Sequence, residues 1–180
     1  HCDLAAFTPD LLALEAALRE RPAPFEKGSP RLLLAGRVVA VGDYVVPSVI
    51  EQCGGVIVAE MLDEGMRHCE WNVALDGDPM ANLVQTYYLQ RVPPSIFQPG
   101  WRLRAERLEK LVREFRVDGV VWYQLSFDEI YNMEYPVVSH AMARIGIPVL
   151  KLETSYEYVR EATGPLVTRI ESFIGSIRER

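Results

Sequence analysis

The stretch VDGVVWYQLSFDEIY, residues Val117–Tyr131, decides the fold of this chain. Its first seven residues, Val117–Tyr123, form a nearly continuous apolar run, which is typical of a strand whose two faces are both covered by helices. A polar and aromatic segment follows immediately, as expected at the carboxyl end of a parallel strand. The stretch therefore predicts a buried strand that runs directly into a candidate binding loop.

Three further apolar segments of strand length occur elsewhere in the chain, at Leu32–Gly36, Gly55–Ala59 and Ile147–Leu152. Helical patterns of apolar residues alternate with these segments, at residues 45–53, 78–90, 101–115, 137–145 and 164–179. Strands that alternate with helices form parallel sheets, because right-handed crossovers place the helices on both faces. We therefore predict a three-layer α/β/α domain with a four-stranded parallel sheet.

The first thirty residues are predicted to lie outside this sheet. Thr8-Pro9 is a helix-start signal, a capping hydroxyl followed by a proline, and the leucines at 11, 12, 14 and 18 share one face of a short helix. Residues 21–30 contain three prolines and a glycine, which indicates an extended linker. We divide the chain into a helix and linker, residues 1–30, and an α/β domain, residues 31–180.

Composition excludes several classes of function. The net charge of −6, from 19 basic and 25 acidic residues, offers no basic stripe to nucleic acid. No apolar stretch approaches the roughly 20 residues needed to cross a bilayer, so we expect no membrane association and a soluble, cytoplasmic protein. The three cysteines, Cys2, Cys53 and Cys69, have no CxxC spacing and are predicted to be reduced thiols.

Common catalytic motifs are missing from the expected places. The segment after the first strand, Gly36–Gly42, carries neither a G-x-G-x-x-G pattern nor a Walker lysine, which disfavours a dinucleotide or P-loop enzyme. His68 and Cys69 are adjacent, and adjacent side chains rarely converge, so a surface histidine beside a half-buried cysteine is favoured over a catalytic pair.

Ligands of open α/β sheets bind outside the carboxyl ends of the strands. Five polar groups follow the strand of the opening stretch: Gln124, Ser126, Asp128, Glu129 and Tyr131. The pattern alone supports two interpretations about equally, either that they contact a ligand or that they cap the next helix and face water.

An ordered set of motifs extends from Arg31 nearly to the end of the chain. The motifs, in order, are RLLLAG at 31–36, VIEQCGGVIV at 49–58, GMR at 65–67, DP at 78–79, YY at 87–88, Arg104, VDGVV at 117–121, EYP at 134–136, GIPVL at 146–150 and TRIESFI at 168–174. In this set the chain resembles the carboxy-terminal half of the 2-hydroxyacyl-CoA dehydratase / benzoyl-CoA reductase family, especially the 2-hydroxyglutaryl-CoA dehydratase D-component.

The resemblance implies a subunit made of two flavodoxin-like halves, of which this chain would be the second. Such subunits hold a [4Fe-4S] cluster through three cysteines, two of them in the amino-terminal half. The cluster receives one electron from an ATP-dependent activator protein and passes it to an acyl-CoA substrate, for dehydration or ring reduction. The subunits typically work in pairs, which implies a dimer or a companion subunit.

The resemblance also implies a third cysteine after the VDGVV strand, and at that position this chain has Asp128, preceded by Phe127. Clusters are held by soft thiolates, whereas carboxylate is a hard ligand. Three interpretations stay open: Asp128 is an unusual oxygen ligand, the chain comes from a companion subunit without the standard cluster, or another loop supplies the group. Ser95 likewise lies after Pro93-Pro94, where relatives often carry Pro-Cys.

Within this resemblance we assign candidate roles. Asp128 is the candidate metal ligand, and Ser126 and Gln124 join it as candidate catalytic residues that donate hydrogen bonds. Arg67 is the candidate partner of an anionic group on the substrate, although a surface or ion-pair arginine is the alternative. The aromatic residues Tyr123, Phe127 and Tyr131 are candidate substrate-binding residues, and Tyr123 or Phe127 is the candidate wall of the pocket.

Two other classes of function compete with the enzyme subunit. One is a non-catalytic flavodoxin-like partner that has lost the cluster ligand and serves assembly with an active subunit. The other is a different enzyme that uses Asp128 and Glu129 with a divalent metal, for which two consecutive carboxylates are weak support.

Overall fold

A computed structural model describes residues 3–95, 98–155 and 160–180 of the chain. Four strands alternate with helices in this part of the chain. The strands are β1 (Arg31–Gly36), β2 (Val56–Met61), β3 (Gly119–Leu125) and β4 (Val149–Thr154). The helices are α1 (Leu4–Glu20), α2 (Val45–Gln52), α3 (Pro79–Val84), α4 (Gln98–Glu114), α5 (Glu129–Arg144) and α6 (Arg160–Arg178), with a 3-10 turn at Gly65–His68 and a π turn at Gln85–Leu89.

The four strands form one parallel sheet in the order β2-β1-β3-β4. This order is that of the flavodoxin-like fold, and it confirms the predicted three-layer α/β domain. The direction of winding reverses between β1 and β3, which pair from Leu32 with Gly119 to Gly36 with Tyr123. A crevice at the carboxyl ends of these two strands is the usual ligand site of such sheets.

Two apolar layers cover the sheet, one on each face. Trp122 of β3 points into the layer under α4 and α5, together with Leu108 and Met142. The next residue, Tyr123, points to the opposite face, into the layer under α2 and α6. Because successive side chains of a strand alternate between faces, β3 links both halves of the core.

The helix before the sheet begins earlier than the sequence predicted. Its cap is Asp3, whose carboxylate accepts a hydrogen bond from the Ala5 amide at 3.0 Å, and Pro9 lies inside the helix. The prediction of a start at Thr8-Pro9 was wrong because an acidic cap nearer the amino end supplies the same hydrogen bond.

Other boundaries and faces also differ from the predictions. The strand predicted at Val117–Tyr123 begins at Gly119 and runs on to Leu125, so Gln124 lies in the sheet and not in the loop. Leu103 and Val137, which belong to the apolar helical patterns of residues 101–115 and 137–145, are 46% and 37% exposed. On α4 the charged neighbour Arg104 takes the inward position instead.

In the part of the chain that the structure describes, no helix combines the length and apolar character needed to span a membrane.

Candidate functional site

The carboxyl end of β1 is fixed against β3 by a glycine. Gly36 has φ of +117°, and a Cβ atom there would lie 2.1 Å from the carbonyl oxygen of Tyr123. Only glycine tolerates both the positive φ and this close approach. The next amide, that of Arg37, donates to the same Tyr123 oxygen at 2.9 Å. Arg37 is therefore held at the crevice where the winding of the sheet reverses.

Arg37 and Asp128 form an ion pair across this crevice. Arg37 Nη1 lies 2.5 Å from Asp128 Oδ2, and the Asp128 side chain is only 10% exposed. Asp128 precedes the first residue of α5, yet its side chain caps no amide of that helix. Its carboxylate is directed to the guanidinium instead. Asp128 is thus bound to a cation from the neighbouring strand end.

Further polar contacts extend from this ion pair along the rim of the sheet. The Arg37 guanidinium lies 5.9 Å from the centre of the Tyr131 ring, and the Tyr131 hydroxyl donates to Asp63. Asp63 follows β2 and lies 3.3 Å from Arg104 Nη1. We call this set of side chains, together with Glu134, the rim chain: Asp128, Arg37, Tyr131, Asp63, Arg104 and Glu134.

Arg104 and Glu134 form the buried end of the rim chain. Arg104 Nε donates to Glu134 Oε1 at 2.7 Å, and the two side chains are 2% and 0% exposed. Arg104 Nη1 also approaches the carbonyl oxygen of Pro93 at 3.4 Å, which ties α4 to the Pro93-Pro94 turn. A buried pair of this kind fixes geometry, because removing either partner leaves an uncompensated charge.

Gln124 does not reach the crevice. It is fully buried, accepts from Trp122 Nε1 at 3.1 Å and donates from Nε2 to Asn132 Oδ1 at 2.8 Å. The prediction that it lies in the loop as a donor to substrate is corrected, since its amide connects β3 to α5 within the protein.

The structure does not bring together the three aromatic candidates for substrate binding. Tyr123 is buried on the α2 and α6 face, where its hydroxyl donates to Asp43 at 2.9 Å. Tyr131 is buried on the other face, in the rim chain. Phe127 is 94% exposed in the loop, with φ of +65°. The sheet therefore separates Tyr123 from Tyr131.

Ser126 and Arg67 occupy different neighbourhoods. The Ser126 amide donates to Thr154 at the end of β4, so its half-buried side chain stays near the loop that contains Phe127. Arg67 lies in the 3-10 turn after β2 and donates to the carbonyl oxygens of Val92 and Asp63. Burial lowers the pKa of the Arg67 guanidinium, and the nearby cation Arg91 lowers it further.

Most of the rim chain was not assigned a role from the sequence. Arg37, Asp63, Arg104 and Glu134 come from four separate segments, and no spacing along the chain indicates that they meet. A signal was available for two of them, because Arg104 and Glu134 fall on the inward, apolar faces of their helices. A charged residue in such a position requires a buried partner.

The donor set at this edge does not fit a [4Fe-4S] cluster. Asp128 offers oxygen rather than sulfur, and its carboxylate is bound to Arg37. Cys53 follows α2 at the opposite end of β2, so it cannot approach Asp128. Among the described residues, no group of three histidine, cysteine or acidic side chains is placed to hold a metal ion, which also leaves the pair Asp128 and Glu129 without a third ligand.

Comparison with known proteins is consistent with this architecture. The family model of the 2-hydroxyglutaryl-CoA dehydratase D-component matches residues 1–177. The chain therefore belongs to the 2-hydroxyglutaryl-CoA dehydratase D-component family. It is 29% identical over 178 residues to the putative dehydratase subunit YjiM of Escherichia coli (strain K12), and the alignment covers 96% of this chain and 44% of that relative. The chain thus spans less than half the length of the curated relative that it matches.

Proposed function

We propose that this chain is part of a subunit of a dehydratase complex that acts on a CoA thioester by one-electron chemistry. We further propose that the complete iron–sulfur site of the complex is held by a companion subunit. Family membership supports the assignment to a dehydratase subunit. The single observation that carries the second part is the Arg37–Asp128 ion pair, which uses the family's ligand position for a structural contact.

In this proposal the half described here binds and orients substrate. Phe127 offers an apolar surface beside the crevice, and Arg37 is 39% exposed, so part of its guanidinium can still meet an anionic group. Ser126 precedes Phe127 in the loop after β3. Asp128 neutralises Arg37 and fixes its direction, and so acts as a positioning residue.

The family resemblance supplies the remaining parts of the proposal. A [4Fe-4S] cluster in the companion subunit would supply single electrons, and an ATP-dependent activator would deliver them to the complex. The subunits would work as a dimer in the cytoplasm, where Cys53 and Cys69 stay reduced, as both are free thiols. Residues 1–30 would serve as a helix and linker ahead of the α/β domain of residues 31–180.

A second candidate function is a non-catalytic partner that serves assembly alone. The rim chain favours it, because its carboxylates and guanidiniums are bonded to one another. Ser126→Ala and Phe127→Ala in the full-length complex distinguish the two functions. Substrate binding predicts a fall in kcat/KM across a panel of 2-hydroxyacyl-CoA thioesters, whereas an assembly role predicts unchanged kinetics.

The location of the cluster tests the primary proposal. The full-length protein and its co-purified partner are prepared without oxygen and separated, and iron, acid-labile sulfide and visible absorbance are measured for each. We expect iron and sulfide in the partner and none in this subunit. A stoichiometric cluster in this subunit alone would overturn the proposal.

A further inference from the structure

A cavity of about 490 Å³ opens beside the edge strand β2, away from the crevice between β1 and β3. The strand forms its floor, α4 forms one wall, and the turn after β2 closes one end. Its volume lies in the range of small-molecule sites, which is about 300–1,000 Å³. None of the residues Phe127, Ser126 and Asp128 lines it.

The cavity has an apolar interior. Leu62 and Met61 come from the end of β2, and Leu111 and Phe115 come from α4. These side chains provide a surface that would stabilise an alkyl or similarly apolar body by removing it from water.

Three arginines line the same cavity, Arg67, Arg104 and Arg107. Arg107 is paired with Glu70, so its charge is neutralised within the wall. Among the described residues, Arg67 donates to the carbonyl oxygens of Val92 and Asp63, so its cation is in hydrogen-bond contact with neutral acceptors.

Arg104 supports an anion site in this cavity independently of Arg67. Its side chain is 2% exposed, and its Nη2 atom is buried with no hydrogen-bond partner in the part of the chain that the structure describes. An unsatisfied buried donor on a cationic group costs free energy, and an acceptor atom placed in the cavity would remove that cost.

Carboxylates also line the cavity, and two of them are already engaged. Glu70 pairs with Arg107, and Glu60 accepts from the Met66 amide at 2.5 Å. Glu64 and Glu114 also line the cavity, but both residues are exposed to solvent. The interior next to Arg67 and Arg104 therefore remains suited to an oxyanion.

We propose that this cavity binds a small amphiphilic anion, an apolar chain that ends in a carboxylate or phosphate, with the oxyanion held by Arg67 and Arg104. The two guanidiniums donate to its oxygens, and the chain packs on Leu111, Phe115 and the floor of β2. This inference does not rest on the proposed dehydratase function, since the residues of that proposal do not line the cavity: Arg37, Ser126, Phe127 and Asp128.

Calorimetric titration of the full-length protein with four probes tests the site. The probes are octanoate, octyl phosphate, octanol and inorganic phosphate. Because hydrogen bonds to charged groups are the stronger class, we expect at least one of the two amphiphilic anions to bind about tenfold more tightly than octanol. We expect inorganic phosphate to bind more weakly than the amphiphile as well, because it buries no apolar surface. The comparison of octanoate with octyl phosphate identifies the head group.

Variants separate this site from nonspecific binding. Arg67→Gln should weaken binding of the preferred amphiphile by about tenfold. Arg102→Gln, on the same helix as Arg104 but 84% exposed, is the matched control and should leave binding unchanged. Ala59→Met fills the floor without removing charge and should abolish binding, which keeps the test valid if Arg67→Gln fails to fold. Equal binding of octanol and both anions, or unchanged binding in Arg67→Gln and Ala59→Met, would overturn the proposal.

Discussion

Arg37 Nη1 lies 2.5 Å from Asp128 Oδ2, so the loop after β1 and the loop after β3 are joined by an ion pair at the reversal of the sheet. The carboxylate is largely buried, whereas the guanidinium is partly exposed. A soft-metal ligand at position 128 would have to displace this cation. The ion pair therefore distinguishes this chain from a subunit that holds a cluster through a thiolate at position 128.

The coupling between these two residues is measurable. In a double-mutant cycle of Arg37→Ala and Asp128→Ala, we expect an interaction energy of about 1 kcal/mol, because the exposure of Arg37 reduces the strength of the pair. The free energies of unfolding come from urea titration of the four proteins. The exposed pair Glu109 and Arg113 is the control and should couple by about 0.3–0.5 kcal/mol. An interaction energy between Arg37 and Asp128 no larger than that of the control pair would contradict a structural role for the Arg37–Asp128 ion pair.

Replacement of Gly36 should be severe. In Gly36→Ala the new Cβ would meet the Tyr123 carbonyl oxygen, and the residue would also have to keep a positive φ. We expect a loss of about 3 kcal/mol or more, or a failure to fold. Gly42→Ala is the matched control, since Gly42 has φ of +93° with no atom within 4 Å of the added Cβ, and should lose only about 1 kcal/mol. Equal losses in the two variants would show that the close approach at Gly36 is unimportant.

The buried end of the rim chain should respond differently to single and double substitution. Arg104→Met leaves Glu134 charged and without its guanidinium, and we expect a loss of about 3–5 kcal/mol. The double variant Arg104→Met/Glu134→Leu removes both charges and should recover much of this loss in thermal or urea unfolding. A double variant less stable than Arg104→Met would argue against an uncompensated charge as the cause.

Cys53 should react slowly with alkylating reagents. Burial raises the pKa of its thiol, the carboxylate of Glu171 raises it further, and Arg178 partly opposes them. Thiolate is the reactive form, so a raised pKa moves the reactivity midpoint to higher pH than that of an ordinary thiol, near 8.5. Mass spectrometry of the Cys53 peptide after timed iodoacetamide treatment across this pH range gives the midpoint.

Glu171→Gln provides the internal comparison for Cys53. Loss of the negative charge should move the midpoint to lower pH, and the difference between the two proteins should vanish in urea. A midpoint at or below that of a small thiol in the folded protein would contradict the environment described for Cys53.

The sequence predicted the sheet but only part of the site, and the reason is physical. Continuous apolar runs such as that of Val117–Tyr123 encode burial on both faces, so strand identity is a local property of the chain. Ion pairs between distant segments are not local. Arg37 and Asp128 are 91 residues apart and meet only because β1 and β3 are neighbours in the sheet.

The wrong assignment at the start of the loop also has a physical reason. Gln124 was assigned to the loop because the predicted end of β3, Tyr123, lies two residues before the observed end, Leu125. A shift of this size changes which residues belong to the strand, and alternation then decides which face each one meets. Tyr123 and Tyr131 are close in sequence, yet the sheet lies between them.

The most direct test of the account is the iron content of the Asp128→Ala variant. Wild-type and variant full-length subunits are purified in their native complex without oxygen, and iron and acid-labile sulfide are measured per complex. We expect the same iron and sulfide in both proteins, because Asp128 binds Arg37 and no metal. A loss of iron in Asp128→Ala but not in Arg37→Ala would show that the carboxylate is a cluster ligand and would contradict it.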